Sequence, residues 1–184
     1  MSEFEEKARA WIAPYWNAEH LVNTRDWVVE LEPGASEALR IAALVHDCER
    51  MFPGGPRVDP GVPHDDEAYL REHSERSAHF ASEWLRDAGA DAALVDAVVE
   101  LVRLHEVGGT PEADVLQAAD SVSFLDVNGW VVVKWLDESR ATPAQARAKL
   151  DYMLERIRVE RARSLAQPLY ERTVARFEAA AAAV

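Results

Sequence analysis

Four of the six histidines in this 184-residue chain, His20, His46, His73 and His105, fall at helical spacing among apolar residues. Residues three or four positions apart share a helix face. Trp16, His20, Trp27 and Leu31 line up in this way, as do Leu39, Ala42, Ala43 and His46, with Asp47 adjacent. Tyr69, Leu70, His73, Ser77, Phe80 and Trp84 form a third stripe, Leu94, Val98, Leu101 and His105 a fourth, and Leu116, Asp120 and Phe124 a fifth. A single histidine on an apolar stripe is more often a satisfied core residue than a ligand. The aspartates are harder to dismiss, because a buried carboxylate without a partner is costly. No lysine or arginine lies one turn from Asp120, so a bound cation is its economical partner. Imidazole nitrogen together with carboxylate oxygen suits a divalent transition metal. The joint pattern points to a metal site where each residue alone would not. His79 serves as a control: it shares a polar face with Glu75, Arg76, Glu83 and Arg86 and reads as solvated. His64 reads as a loop residue ahead of a helix start.

These residues need helices to carry them. Helices are expected over about 2–11, 15–31 and 36–50, the last capped by Ser36, with Pro33-Gly34 closing the second. Residues 52–64 hold four prolines and three glycines and are expected to form a lip over a site. A long helix over about 65–88 is closed by Gly89. Asp91 caps another that runs to about Glu106 and ends at Gly108-Gly109. Pro111 opens one to about Asp126. Trp130–Trp135 admits strand or helix, with its surroundings favouring helix. Thr142-Pro143 starts a helix to about Ala166, and Pro168 is expected to separate off the last. The expected architecture is all-α: one domain over residues 1–184, with a motif-bearing core at about 15–126 and a C-terminal helical extension at about 130–184.

Bulk properties narrow the function. The chain is 48% hydrophobic and 29% charged, which is ordinary for a globular protein, and its glycine content is low. Cys48 is the only cysteine, so an intramolecular disulfide is excluded and a reducing, cytoplasmic setting is expected. The start, MSEFEEKARAWIAPYW, lacks the pattern of a signal peptide. No apolar run approaches the ~20 residues of a membrane span. The net charge of −13 argues against nucleic-acid polymers and anionic membranes as partners, though not against a small phosphorylated substrate held by a metal and one or two arginines. Oligomeric state is not legible. The 17 arginines against 3 lysines are read as base composition.

The segment Ala42-Ala43-Leu44-Val45-His46-Asp47 resembles the signature of the HD-domain superfamily of metal-dependent phosphohydrolases. That pattern is a His, a His-Asp pair closing a small-apolar helix, and a distant Asp. Here it reads His20, His46-Asp47, and Asp120 within Leu116-Gln117-Ala118-Ala119-Asp120-Ser121, and it covers about residues 15–126. The resemblance implies an all-helical fold with its site between the central helices. It also implies a divalent ion (manganese, iron, cobalt or nickel, with magnesium admissible) and a phosphate ester or anhydride substrate, often a nucleotide. His73 and His105 match the two extra histidines of family members that bind two ions, which would make Asp47 the bridge. One ion or two stays open. The mechanism this implies is attack by a metal-activated water oriented by Asp47. Arg50, one turn beyond the His-Asp pair, and Arg76, one turn beyond His73, are expected to clamp phosphate oxygens. Glu72 and Glu75 flank His73 and offer an acid or base. Trp16, Trp27 and Trp84 are expected mainly to pack the core. Two rivals share the ligand set: a di-iron oxygenase on the same scaffold, and a non-catalytic module that binds metal or nucleotide. The short step from His105 to Asp120 leans the reading toward hydrolase, and the complete ligand set leans it toward an enzyme.

Overall fold

The computed structural model describes residues 1–57, 59–60 and 63–182. Among the described residues the regular structure is entirely helical. The first three helices are α1 (Glu3–Ile12), α2 (Ala18–Leu31) and α3 (Glu37–Val45), and a 3₁₀ turn follows at Cys48–Met51. Next come α4 (Glu67–Asp87), α5 (Ala92–Leu104) and α6 (Pro111–Ser123), which runs into a π turn at Phe124–Asn128. The chain closes with α7 (Trp130–Asp137), α8 (Pro143–Glu155) and α9 (Glu160–Ala181).

The starts follow capping chemistry. Side chains of Ser36, Asp66, Asp91 and Thr110 accept hydrogen bonds from the backbone N–H three residues on. Ser2 with Glu5 and Thr142 with Gln145 form reciprocal capping boxes. Gly108 follows α5 at φ +64°, a conformation that disfavours side chains.

Helix α3 is the centre of the first core. Ile41 to Val45 are all fully buried, because α1, α2, α5 and α6 surround the helix. Helix α4 packs on α5 and on the 3₁₀ turn. A second core lies among α6, the π turn and α7 to α9, around Leu125, Val132, Leu150, Ile157 and Phe177. Helix α6 joins the two: Leu116 and Ala119 face the first core, Ala118 and Val122 the second. Such a helix must be apolar nearly all round, which makes the buried Asp120 on it conspicuous.

Residues 130–135 are helical, as their surroundings favoured, and form part of α7. Two local expectations are corrected. Trp16 lies ahead of α2 and is exposed, so it drops out of the stripe that His20, Trp27 and Leu31 keep. Pro168 sits inside α9, and the break falls instead at residues 157–159. The backbone carbonyl that Pro168 leaves without a partner belongs to Ser164, and both residues are exposed to water. The buried face of Ala162, Ala166, Val174 and Phe177 holds the helix through the proline. The true break has no glycine or proline. There the Arg163 guanidinium donates to the carbonyls of Glu155 (2.6 Å) and Ile157 (3.3 Å), closing α8.

Candidate metal centre

His46 and His105 are the C-cap residues of α3 and α5, with nearly identical backbone angles (φ −56°, ψ −33° and φ −59°, ψ −31°). A helix C-terminus leaves carbonyls without intrahelical donors. Each ring takes one of them: His46 Nδ1 lies 3.0 Å from the Ala43 carbonyl and His105 Nδ1 2.7 Å from that of Val102. Since a carbonyl can only accept, both Nδ1 atoms carry the proton. His73 Nδ1 lies 3.0 Å from Glu49 Oε1, which fixes the same tautomer. His20 Nδ1 lies 2.9 Å from Ser123 Oγ. The Ser123 hydroxyl already donates to the His20 carbonyl (3.0 Å), so it accepts from the ring. All four imidazoles are thus pinned through Nδ1–H, which leaves Nε2 as the ligating atom. This is the arrangement metal-bound histidines adopt.

The Nε2 atoms converge. His46, His73 and His105 are at most 1% exposed, and their Nε2 atoms have no well-directed hydrogen bond. Such buried, unsatisfied groups need an explanation. Carboxylate oxygens are close without being aligned as acceptors: Asp47 Oδ1 is 2.9 Å from His73 Nε2, and Asp120 Oδ1 is 3.5 Å from His46 Nε2. Asp120 Oδ1 is also 3.1 Å from His20 Nε2. Two donors each about 2.1 Å from one ion, at right angles, stand about 3 Å apart. Ligand atoms of His20, His46 and Asp47 lie within 4.8 Å of one another, as do those of Asp47, His73 and His105. Asp47 belongs to both groups. The donor set and spacing therefore fit one or two divalent ions, and the C-termini of α3 and α5 add partial negative charge that favours a cation.

Electrostatics agree. Burial works against charge on every group here. For His46 the Asp120 and Asp47 carboxylates outweigh burial and hold a proton to about pH 9. A divalent ion at this cluster would take the place of that proton. For His105, burial and the neighbouring His46 and His73 win over Glu106, and its pKa falls to about 4. Asp47 stays well below the carboxylate range against burial through Arg50, His73 and His46.

Several residues here were not singled out from the sequence. Glu49, 1% exposed, orients His73, and Ser123 orients His20. Arg156, from the end of α8, pairs with Asp120 Oδ2 and Glu106 Oε2 and donates from Nε to Ser121 Oγ at 2.7 Å. This corrects the premise that Asp120 lacks a basic partner, which rested on neighbours one turn away. The guanidinium takes Oδ2 and leaves Oδ1 facing His20 and His46.

His20, Asp47 and Asp120 line one side of a cavity of about 730 Å³, and His46, His73 and His105 are buried next to them. Asp47, Arg50, Tyr69 and Glu72 line it, with Lys149 and Arg156 from the C-terminal helices. Arg50 Nε is 3.4 Å from Asp47 Oδ2, and its Nη2 donates to Tyr69 Oη at 2.9 Å. Arg76 lies elsewhere. It donates to the Pro53 carbonyl (2.5 Å), sits 3.4 Å from Glu49 Oε2, and is not on the cavity wall. Gly55 packs so closely there that a Cβ would lie 2.0 Å from Glu49 Oε2. Glu75 pairs with Arg103 (3.0 Å), away from the cavity. Of residues 52–64, positions 58, 61 and 62 lie outside the described residues, while Phe52, Pro56, Arg57, Asp59, Pro63 and His64 border the cavity. Trp16 (65% exposed) and Trp130 (49%) meet edge to face across 6.1 Å and also border it. His79 is exposed beside Glu83.

Compared with protein-family models, curated proteins and solved structures, the chain matches none.

Proposed function

We propose that this chain is a metal-dependent phosphohydrolase of the HD-domain type, acting on a small phosphate ester or anhydride, with nucleotides the favoured class. The observation that carries the reading is the clustering of four histidines with the Asp47 and Asp120 carboxylates, of which His20, Asp47 and Asp120 open onto a cavity that also presents Arg50 and Lys149. His20, His46, Asp47 and Asp120 would hold one ion, and Asp47, His73 and His105 a second. When bound, the metal supplies Lewis acidity toward water and phosphoryl oxygen.

The chain's own groups do the rest. Asp47 faces the cavity and orients the attacking water by accepting a hydrogen bond from it. Arg50, steadied by Tyr69, offers its fork to phosphoryl oxygens as charge develops there. Lys149 lies over the rings of Phe124 (5.4 Å) and Tyr152 (5.2 Å) and supplies a further positive charge. Burial and the nearby Arg156 and Arg50 lower its pKa to about 8, so it stays largely protonated at neutral pH. Trp16 and Trp130 at the border offer flat faces to a base. Arg76 acts through Glu49 on His73 rather than on substrate.

The test is phosphate release from a panel of nucleotides and phosphoesters by protein reconstituted with manganese, iron, cobalt, nickel or magnesium, with and without oxygen. Metal-dependent phosphate release that is indifferent to oxygen is expected. Turnover that consumes oxygen, or tight nucleotide binding without turnover under any metal, would overturn the reading.

A further inference from the structure

The His46-Asp47 pair has a counterpart that the ligand pattern above leaves out. His105 is followed by Glu106, and the two pairs occupy equivalent places at the ends of α3 and α5. Both histidines cap their own helix through Nδ1 and turn a buried, unsatisfied Nε2 to the same centre, with their rings 5.1 Å apart. The acids that follow both face the cavity. Glu106 Oε1 stands 3.7 Å from His105 Nε2 and 3.8 Å from His73 Nε2, in line with neither as a hydrogen bond. Its other oxygen is held by Arg156, the same guanidinium that holds the outer oxygen of Asp120, and Gln117 Nε2 donates to its backbone carbonyl at 2.8 Å.

We infer that Glu106 is a ligand of the second ion. Each ion then has two histidines, the shared Asp47 and one terminal carboxylate: Asp120 with His20 and His46, Glu106 with His73 and His105. Arg156 spans the two terminal carboxylates, fixing one oxygen of each and aiming the other at its ion. The outer oxygens are thereby satisfied without a proton, which keeps both carboxylates anionic. The set is nearly balanced between the two positions, so two like ions bind with comparable affinity. This inference rests on the two-ion form of the proposed site.

Metal-free protein titrated with Mn²⁺, with bound metal measured per chain and the electron paramagnetic resonance spectrum recorded, tests it. The wild type is expected to bind two ions and give the signal of an exchange-coupled pair. Glu106→Gln is expected to keep the first ion and weaken the second by about tenfold or more, giving the six-line spectrum of isolated Mn²⁺. Arg156→Gln, which removes the guanidinium held by both terminal carboxylates, is expected to weaken both ions together, unlike Glu106→Gln. If Glu106→Gln does not fold, Glu106→Asp, one methylene shorter, is expected to weaken the second ion alone. Two ions in Glu106→Gln with wild-type affinity and coupling would overturn the assignment, as would equal weakening of both ions in Glu106→Gln. A wild type that binds only one ion overturns the two-ion site itself.

Discussion

Asp47 is where the two ligand groups meet, so its removal is expected to differ in kind from removal of an outer ligand. Asp47→Ala is expected to lose both ions and lower phosphate release by more than about 100-fold, whereas His73→Ala leaves the first ion bound. Metal content per chain, measured beside activity, separates these outcomes. The arginines divide in the same way. Arg50→Met is expected to lower kcat/KM by about 10- to 150-fold with metal content unchanged, the cost of a lost hydrogen bond to a charged group. Arg76→Met is expected to weaken metal binding by about 10-fold through Glu49 and His73, with little effect on KM once metal is saturating. A KM effect as large as that of Arg50 would restore Arg76 to the substrate. At this scale much was legible in the chain: the six predicted ligands lie around one centre because helical spacing reports which residues face inward. The partners that tune them were not. Glu49 and Ser123 look like ordinary polar residues until tertiary packing brings them under a ring, and Arg156 reaches Asp120 across 36 residues.

The helices themselves were legible where capping residues or glycine mark their ends, as at Ser36, Gly89, Asp91 and Thr142. They were not legible where packing decides. The break between α8 and α9 is set by buried Ile157 and by Arg163 capping, not by Pro168. The π turn after α6 likewise has no local signal, although π turns often mark functional sites. One network ties α1 to its neighbours. Glu5, fully buried, accepts two hydrogen bonds from Arg25 (2.8 and 2.7 Å), lies 3.2 Å from Arg40 Nε, and accepts from the Ser2 N–H. Removing one partner strands the others, so Glu5→Ala is expected to cost about 3 kcal/mol, measured by urea unfolding in excess chelator. Burial raises the Glu5 pKa, but Ser2, Arg25 and Arg40 outweigh it and the folded value lies below the unfolded one. Its contribution is therefore complete above the unfolded carboxylate pKa of about 4.5 and disappears as pH falls through the lower folded value. The gap in stability between wild type and Glu5→Gln should narrow on acidification below about pH 4.

At the scale of the molecule, helix α6 is shared by two cores, and the site lies where they meet. The N-terminal core supplies the histidines, while the C-terminal helices supply Arg156, Lys149 and part of the cavity wall. The sequence resemblance stopped near residue 126, and so did the expectation of function. The later segment reads as generic helix because its contribution is a few long side chains, not a spaced motif. Metal should therefore stabilise the whole fold. At about 100 times its Kd an ion adds about 2.7 kcal/mol, and excess chelator is expected to lower the melting temperature by several degrees. Among the described residues no helix is long and apolar enough to cross a membrane. The central claim is that the inward-facing Nε2 atoms bind metal. The most direct measurement is the anomalous difference density of crystals grown with Mn²⁺, collected near the manganese absorption edge. A peak bounded by His20, His46, Asp47 and Asp120, with a second beyond Asp47 beside His73 and His105, is the predicted result. Ions found only at the surface, with none inside this cluster, would contradict it.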